Sequence, residues 1–268
     1  MFSSIYYTEI QSKTPIKPLS KLEQDNILHD FNYFSLPFEA PAWNSKVFNS
    51  SPVRDILATY EYNTSHISLD IRLESVTIID FIDRKINIFY SSNTKNLIAK
   101  ARILQGNFSP FLFYIDALLI HCSCVNFNNH AAVFVAMDEG GKTTAASLCE
   151  NGNVLSDDQI LFKRNDNEEW LAYGTPWTTF EPNPGSATPK AFFLLEKSDK
   201  FSLTKLTSKE LLAHLWNEHL NTRILIPKMY HTKILDLYIS LASSAPVYLM
   251  KFPKDYIDQE AILKCLDH

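Results

Sequence analysis

Apolar and polar residues alternate most clearly in the first third of the chain. Residues 66–73 alternate with a period of two, which is typical of a strand with one buried face. The runs 76–81 and 86–90 follow, and the charged residues 83–85 between them predict a turn. We therefore expect an antiparallel meander here. Upstream, the prolines at positions 15, 18, 37 and 41 predict loops and short strands in residues 1–50, with 22–30 as a candidate helix.

Beyond residue 92, stretches with helical spacing occur between short apolar runs. Helices are predicted at 93–104, 109–118, 142–151, 207–219, 230–242 and 258–266. Strands are predicted at 120–127, 131–136, 153–157, 159–164, 168–173, 191–195 and 247–252. The segment 174–189 is rich in Pro, Gly and Thr and predicts a long loop, with Trp177 and Glu181 as candidate substrate contacts.

The composition is that of an ordinary globular protein, with 46% hydrophobic and 21% charged residues among 268. This length suffices for one large domain or two modest ones. The formal net charge of −5 provides no basic field for nucleic acid or an anionic membrane. No apolar run approaches the roughly 18 residues of a membrane span, and the first residues do not resemble a signal peptide. We therefore expect a cytoplasmic protein that binds neither nucleic acid nor membranes.

The four cysteines stand at irregular spacings, at positions 122, 124, 149 and 265. Such spacings fit neither a disulfide framework nor a zinc site. The pattern favours buried thiols in a reducing compartment.

The stretch with the strongest candidate chemistry is 131–158, AAVFVAMDEGGKTTAASLCENGNVLSDD. An apolar strand leads into a turn with Gly140 and Gly141, and a helix begins at Lys142 and Thr143. The glycines allow backbone amides to converge on an anion, and a helix N-terminus adds partial positive charge. Lys142 would reach the outer phosphates of a nucleotide, and the Thr143 hydroxyl would help to hold magnesium. These features predict a phosphate-binding loop.

The next predicted strand brings two carboxylates towards this loop. A helix over 142–151 spans about 15 Å at about 1.5 Å per residue. A strand over 153–157 returns about 16 Å at about 3.3 Å per residue. If that strand runs parallel to 131–136, Asp157 and Asp158 reach the level of the loop. A metal ion or a substrate hydroxyl would lie there.

The loop departs from the pattern G-x-x-x-x-G-K-[ST]. Ala136 stands at the first glycine position, and Asp138 and Glu139 bring negative charge close to the expected phosphates. Like charges about 4 Å apart cost roughly 1 kcal/mol in water and about 4 kcal/mol at a surface-like dielectric. Either these carboxylates point away, or magnesium offsets their charge, or nucleotide binding is weak. An ordinary strand-turn-helix with a chance Gly-Gly-Lys-Thr is the remaining alternative.

The wider segment 119–162 resembles the core of the HPr kinase/phosphorylase-like family, whose P-loop kinase fold is related to phosphoenolpyruvate carboxykinase. The family positions are occupied by His121, Lys142, Thr143, Asp157 and Asp158. Residues 173–177, Tyr-Gly-Thr-Pro-Trp, and the strand 189–196 also match elements of bacterial family members. The similarity covers residues 113–196 well and the C-terminal third in outline. The chain lacks the glycine-rich signature and the HPr-docking segment of true HPr kinases, so it resembles a divergent member.

The resemblance implies an α/β (α+β) fold in two parts. A β-rich N-terminal region, 1–107, would pack on an HPr kinase-like P-loop domain, 108–268, with a mixed sheet and C-terminal helices. The resemblance implies catalytic roles for Asp157 as base, His121 near the transferred phosphate, and Lys142. Thr143 and Asp158 would hold Mg2+. The predicted nucleotide-binding residues are Asp138, Glu139, Gly140, Gly141, Lys142, Thr143 and Thr144.

The expected function is ATP-dependent phosphotransfer to a hydroxyl, with Mg-ATP held by the loop. The acceptor stays open between a serine of a peptide or protein and a free small molecule. The alternative is a nucleotide-binding or scaffolding protein that has kept the fold and lost the chemistry. Ala136, Asp138 and Glu139 favour that alternative. The sequence carries no signal for an oligomeric state.

Overall fold

The computed structural model describes the backbone of residues 42–48, 67–72, 75–80, 85–91, 109–175, 177–181, 183–223 and 226–267. Side chains are described for 112–175, 177–181, 183–217 and 226–267. The chain divides into two units, one of Met1–Phe111 with Thr222–His231 and one of Leu112–Asn221 with Thr232–His268. The helices predicted at 22–30 and 93–104 lie outside the described residues.

The first unit contains a four-stranded sheet. Its strands are β1 (Ala42–Phe48), β2 (Ile67–Arg72), β3 (Ser75–Asp80) and β4 (Lys85–Ser91), in the order β1-β4-β3-β2. The antiparallel pairs β2-β3 and β3-β4 confirm the predicted meander. Strand β1 pairs parallel to β4 and lies within residues 1–50, where loops and short strands are predicted without bounds, because its sequence AWNSKVF does not alternate with a period of two.

The second unit contains a nine-stranded sheet. Its strands are β5 (Ala117–His121), β6 (Ser123–Phe127), β7 (His130–Val135), β8 (Asn153–Ser156), β9 (Gln159–Arg164), β10 (Trp170–Tyr173), β11 (Ser186–Lys197), β12 (Ser202–Leu206) and β13 (Val247–Phe252). The α-helices among the described residues are α1 (Lys142–Ser147), α2 (Ser208–Arg223), α3 (His231–Ala242) and α4 (Gln259–Leu266). Two short 3-10 helices cover Ser109–Ile115 and Lys228–Tyr230.

The sheet is mixed. Its main path is β5-β9-β10-β11-β7-β6-β8, and β13 and β12 extend it from β11. Strand β11 pairs parallel with β7 and with β13, whereas the other pairs of this sheet are antiparallel. The carboxyl ends of β7, β11 and β13 therefore share one edge. The chain thus has a mixed α/β fold with a mixed sheet and C-terminal helices, as its pattern predicts.

The sheet is curled, because the chain passes directly from one end of the strand order to the other at two places. Strands β5 and β6 are consecutive in sequence, yet they lie near opposite ends of the strand order, and so do β8 and β9. Only Cys122 separates the first two strands, and only Asp157 and Asp158 separate the second two. The prediction of one strand over 120–127 was therefore wrong. The Cys122 amide bonds the Ile120 carbonyl at 3.1 Å and leaves the ladder, so the chain changes pairing partners there.

Two predicted helices are shorter than expected. The helix predicted at 109–118 ends at Ile115, because Asp116 has a left-handed φ of 51° and the next residues pair with β9. The helix predicted at 142–151 ends at Ser147. Beyond it, Asn151 has a φ of 60°, and a side chain at Gly152 would collide with Val125 at 2.3 Å. Strand pairing and close packing override local helical spacing at both places.

Other predicted elements agree closely with the structure. The hairpin of β9 and β10, the strand β13 and the helix α4 lie where the pattern places them. The Asp258 carboxylate accepts the Ala261 amide at 3.0 Å as the N-cap of α4. One half of the predicted capping box of α2 is present, since Glu210 Oε2 accepts the Thr207 amide at 2.8 Å, but the Thr207 hydroxyl donates to the same oxygen at 3.0 Å. Helix α2 extends to Arg223, and β11 begins at Ser186, inside the predicted loop.

Strand β7 lies in the centre of the core. Its residues Ala131 to Val135 are fully buried, as expected of an apolar run between parallel and antiparallel neighbours. The Phe134 and Phe193 rings stack with centroids 5.4 Å apart in a cluster that includes residues of α1 and α4. All four cysteines are buried free thiols, as predicted, and burial raises the pKa of Cys149 to about 12. This packing fixes the position of the carboxyl end of β7, which leads into residues 136–141.

Candidate functional site

The 136–141 loop joins the carboxyl end of β7 to the first residue of α1. Gly141 has a φ of 97°, and Glu139 has a φ of 60°. The Gly140 amide donates to the Met137 carbonyl at 3.0 Å, and the Ala145 amide donates to the Gly141 carbonyl at 2.8 Å. Gly140 cannot be replaced easily, because a Cβ there would lie 2.5 Å from the Ala136 Cβ. The loop is a tight turn that leads directly into the helix N-terminus.

Lys142 is the buried cation of the site, with 6% of its surface exposed. Its Nζ donates to the carbonyl oxygens of Ala136 at 2.8 Å and Met137 at 3.2 Å. Among the described residues, no carboxylate forms an ion pair with this ammonium group. A buried charge with only neutral partners is costly, so an anion in the loop would be stabilised there.

The acidic pair lies on the same side of the molecule as the loop. The Thr143 hydroxyl donates to Asp157 Oδ2 at 2.8 Å and so joins α1 to the end of β8. The expectation that Asp157 reaches the level of the loop is confirmed by this contact. Strand β8 runs parallel to β7 in direction, because both pair antiparallel with β6. Ser123 Oγ also donates to the Lys142 carbonyl at 2.9 Å, which fixes the start of β6 against the start of α1.

The Asp157 carboxylate is buried and accepts four hydrogen bonds. Oδ2 accepts from Thr143 Oγ1 at 2.8 Å and from Thr179 Oγ1 at 2.6 Å. Oδ1 accepts from the Thr179 amide at 2.7 Å and from Thr178 Oγ1 at 2.9 Å. Because a carboxylate offers about four acceptor positions, this group is saturated.

The pKa of Asp157 results from two opposing effects. Burial by itself raises the pKa, but the hydrogen bonds from Thr179, Thr143 and Thr178 outweigh burial and lower it below its ordinary value. Asp157 is therefore an ionised carboxylate whose lone pairs are all occupied by donors.

Asp158 has a different environment from Asp157. Its side chain is 47% exposed, and Oδ1 lies 3.1 Å from His121 Nε2. His121 Nδ1 lies 3.6 Å from Asp138 Oδ1 on the 136–141 loop, so the imidazole stands between two carboxylates. The curl of the sheet produces this arrangement, because β5 ends at His121 and pairs with β9 immediately after Asp158.

The segment 174–185 contributes residues that the sequence pattern did not identify. Besides its Thr178 and Thr179 contacts to Asp157, the Trp177 carbonyl accepts Ser156 Oγ at 2.7 Å. Asn183 Nδ2 donates to the Val154 carbonyl at 3.1 Å, and the Gly174 amide donates to the Gly185 carbonyl at 3.0 Å. The Thr-rich composition of 174–189 was the only available signal. It cannot show that two hydroxyl groups face an aspartate about twenty residues earlier.

The remaining predicted residues lie around this centre. Thr144 is half-buried on α1, and its carbonyl accepts the Leu148 amide at 3.1 Å. Asp138 and Glu139 are exposed, and the Asp138 side chain is 89% exposed. Glu181 is exposed and Trp177 is half-buried. All the predicted site residues of 121–158 thus lie in one of three places. These are the 136–141 loop, the start of α1, and the point where β5 ends beside the passage from β8 to β9.

The residues near the loop suit a hard cation. Hydroxyl and carboxylate oxygens are the ligands that magnesium prefers, and its protein sites often rely on one or two carboxylates plus phosphate oxygens. Thr143 and Asp158 supply such oxygens here, whereas the acceptor positions of Asp157 are occupied by hydrogen-bond donors. In the part of the chain that the structure describes, no group of three or more His, Cys, Asp or Glu side chains could hold a metal ion alone.

No protein-family model matches the chain, and no curated protein matches it with significance. The resemblance to HPr kinase-like proteins therefore stays a prediction from the sequence. Among the described helices, none has both the length and the apolar character needed to span a bilayer.

Proposed function

We propose that the chain is an ATP-dependent phosphotransferase with an HPr kinase-like P-loop core. The observation that carries the proposal is the 2.8 Å bond from Thr143 to Asp157, which joins the start of the loop helix to an acidic pair. The buried Lys142 beside that helix supports it, because its ammonium group has only carbonyl partners. An ordinary strand-turn-helix unit gives no reason for these two features to occur together.

The residues of the candidate site would have two roles, anion binding and metal positioning. Lys142 and the amides of the 136–141 loop would bind the outer phosphates of ATP. Thr143 would hold magnesium, which neutralises phosphate charge when it is bound. Asp157 would accept a hydrogen bond from the Thr143 hydroxyl, so that the lone pairs of this hydroxyl face the ion. Phosphoryl transfer depends mainly on such positioning and charge stabilisation.

We assign the base to Asp158, whereas the family resemblance implies Asp157 for this role and Asp158 as a magnesium ligand. A general base needs a free lone pair within reach of the acceptor hydroxyl. The four acceptor positions of Asp157 are occupied, whereas the half-exposed carboxylate of Asp158 contacts a single described side chain, that of His121. His121 would orient Asp158 and stabilise charge near the transferred phosphate.

The test combines calorimetry of Mg-ATP binding with two assays of turnover. ADP release reports hydrolysis, and radiolabelled ATP reports transfer to serine, to serine-containing peptides and to the chain itself. The wild type should bind Mg-ATP, and Lys142→Ala should bind at least about tenfold more weakly, a loss of about 1.4 kcal/mol. Asp158→Asn should bind normally and lose about 100-fold or more in turnover. Glu150→Gln, which alters an exposed carboxylate beyond the end of α1, is the control.

The alternative function predicts different results in the same experiment. The exposed Asp138 and Glu139 on the loop favour a protein that has lost the chemistry. Absence of binding at millimolar Mg-ATP would overturn the kinase and favour a scaffolding protein. Tight binding without hydrolysis or transfer would overturn the kinase and favour a nucleotide sensor.

A further inference from the structure

The acceptor positions of Asp157 are filled from two separate parts of the chain. One donor, Thr143, belongs to α1 and stands at the proposed magnesium site. The other three donors are the Thr178 hydroxyl and the Thr179 hydroxyl and amide, all from the 174–185 segment. Each carboxylate oxygen receives at least one bond from this segment, so the orientation of the whole group depends on it.

The 174–185 segment is itself held in place. Gly174 and Gly185 close its base through a backbone bond, and a side chain at Gly174 would lie 1.8 Å from the Asn183 carbonyl oxygen. Ser156 and Asn183 connect the segment to β8. Thr175 Oγ1 donates to the Gln159 carbonyl at 2.6 Å, on the other side of the acidic pair. The segment therefore presents Thr178 and Thr179 to Asp157 from a fixed position.

We propose that Thr178 and Thr179 are positioning residues that hold the Asp157 carboxylate against Thr143, so that magnesium binding depends on the 174–185 segment. This inference rests on the proposed function. Residues that orient a metal ligand without touching the ion contribute strongly to metal affinity.

The experiment compares the metal-dependent and metal-free parts of ATP binding in Thr179→Val. Valine keeps the branched shape of threonine and removes the hydroxyl donor. Thr179 acts on the proposed ligand Thr143 through Asp157. The magnesium concentration for half-maximal ATP binding should therefore rise about tenfold, the lower end of the range for changes outside the direct ligands of a metal. The affinity for ATP in excess EDTA should stay within about twofold of the wild type, because the loop and Lys142 are unchanged. A general loss of structure would lower both affinities.

Three further variants complete the test. Thr179→Ser keeps the hydroxyl and should restore the wild-type magnesium dependence. Thr178→Val removes one bond to Asp157 Oδ1. It provides a second measurement of the magnesium dependence if Thr179→Val does not fold. Thr204→Val removes an exposed hydroxyl on β12, remote in sequence, and should change neither affinity.

The outcomes separate this inference from the proposed function. A wild type that binds no ATP with or without magnesium would overturn the proposed function and this inference with it. Magnesium-dependent binding that is unchanged in both valine variants would overturn the inference and leave the proposed function standing. Equal loss of both affinities in Thr179→Val, or failure of Thr179→Ser to restore magnesium dependence, would overturn it as well.

Discussion

The ring of Phe252 lies against Gly141, so that a methyl group on Gly141 would stand 3.0 Å from Phe252 Cζ. Phe252 ends β13 and is buried, and Gly141 has a φ of 97° at the start of α1. The geometry of the loop therefore depends on a residue more than one hundred positions later. The absence of a side chain at Gly141 serves both the backbone conformation and this contact.

Replacing Gly141 with alanine should destabilise the fold. The left-handed backbone costs an alanine roughly 1–2 kcal/mol, and overpacking against Phe252 adds about 1 kcal/mol or more. The change is measured as the free energy of unfolding in urea. The double variant Gly141→Ala with Phe252→Leu separates the two contributions, because the shorter side chain removes only the steric one.

The double variant should lose about 1 kcal/mol less than the sum of the two single variants. Strict additivity would show that the Phe252 ring does not limit the space at Gly141. A destabilisation of Gly141→Ala below about 0.5 kcal/mol would contradict both the contact and the backbone argument.

The sequence predicted the elements of the site better than their arrangement. The run 131–136 and the Gly-Gly-Lys-Thr that follows it have strong local signals, and β7 and α1 lie within a residue or so of their predicted starts. That Asp157 reaches the level of the loop was predicted from helix and strand rises and an assumed parallel strand, whereas its bond to Thr143 was not predicted. These features depend on neighbours in sequence, which periodicity and spacing report.

The features that the sequence missed depend on contacts between distant residues. The break at Cys122 is invisible in the sequence of 120–127, because the alternation continues across it and most residues on either side are buried. The contacts of Thr178 and Thr179 to Asp157 need the closed geometry of 174–185. Asp157 and Asp158 are adjacent in sequence and chemically identical, so only the structure distinguishes the saturated carboxylate from the half-exposed one.

The exposed Asp138 should weaken nucleotide binding if the proposed function is correct. Its carboxylate lies on the 136–141 loop, 3.6 Å from His121 Nδ1. Removal of a like charge about 4 Å from a phosphate is worth roughly 1 kcal/mol in water, so Asp138→Asn should raise Mg-ATP affinity about fivefold at low salt. The gain should shrink as ionic strength rises, because the group is exposed to screening ions.

Calorimetry at two salt concentrations checks this prediction. Glu150→Gln removes the same charge beyond the other end of α1 and should leave the affinity unchanged. A decrease in affinity for Asp138→Asn would contradict the prediction, and it would indicate that the contact with His121 matters more to binding than the repulsion.

Because the pKa of Asp157 is lowered, the free energy of unfolding should decrease as the pH falls into the acid range. A carboxyl group whose folded-state pKa lies below the unfolded value of about 3.9 contributes stability that is fully present above that value. The contribution is lost as the pH falls from about 3.9 through the lower, folded-state pKa. Because the Thr179 hydroxyl donates one of the bonds that lower this pKa, Thr179→Val, which keeps the backbone bond, should bring the pKa closer to its ordinary value. The variant should therefore be less stable than the wild type at neutral pH and should lose less stability in acid.

Urea unfolding between pH 7 and pH 3 measures this difference directly. The gap in unfolding free energy between the wild type and Thr179→Val should be constant from pH 7 to about pH 5 and should narrow below about pH 4. Thr204→Val, which removes a hydroxyl from an exposed strand position, should give a gap that does not vary with pH. Other titrating groups affect the wild type and the variants alike, so they cancel in the comparison. A gap for Thr179→Val that stays constant down to pH 3 would mean that this threonine does not stabilise the ionised form of Asp157.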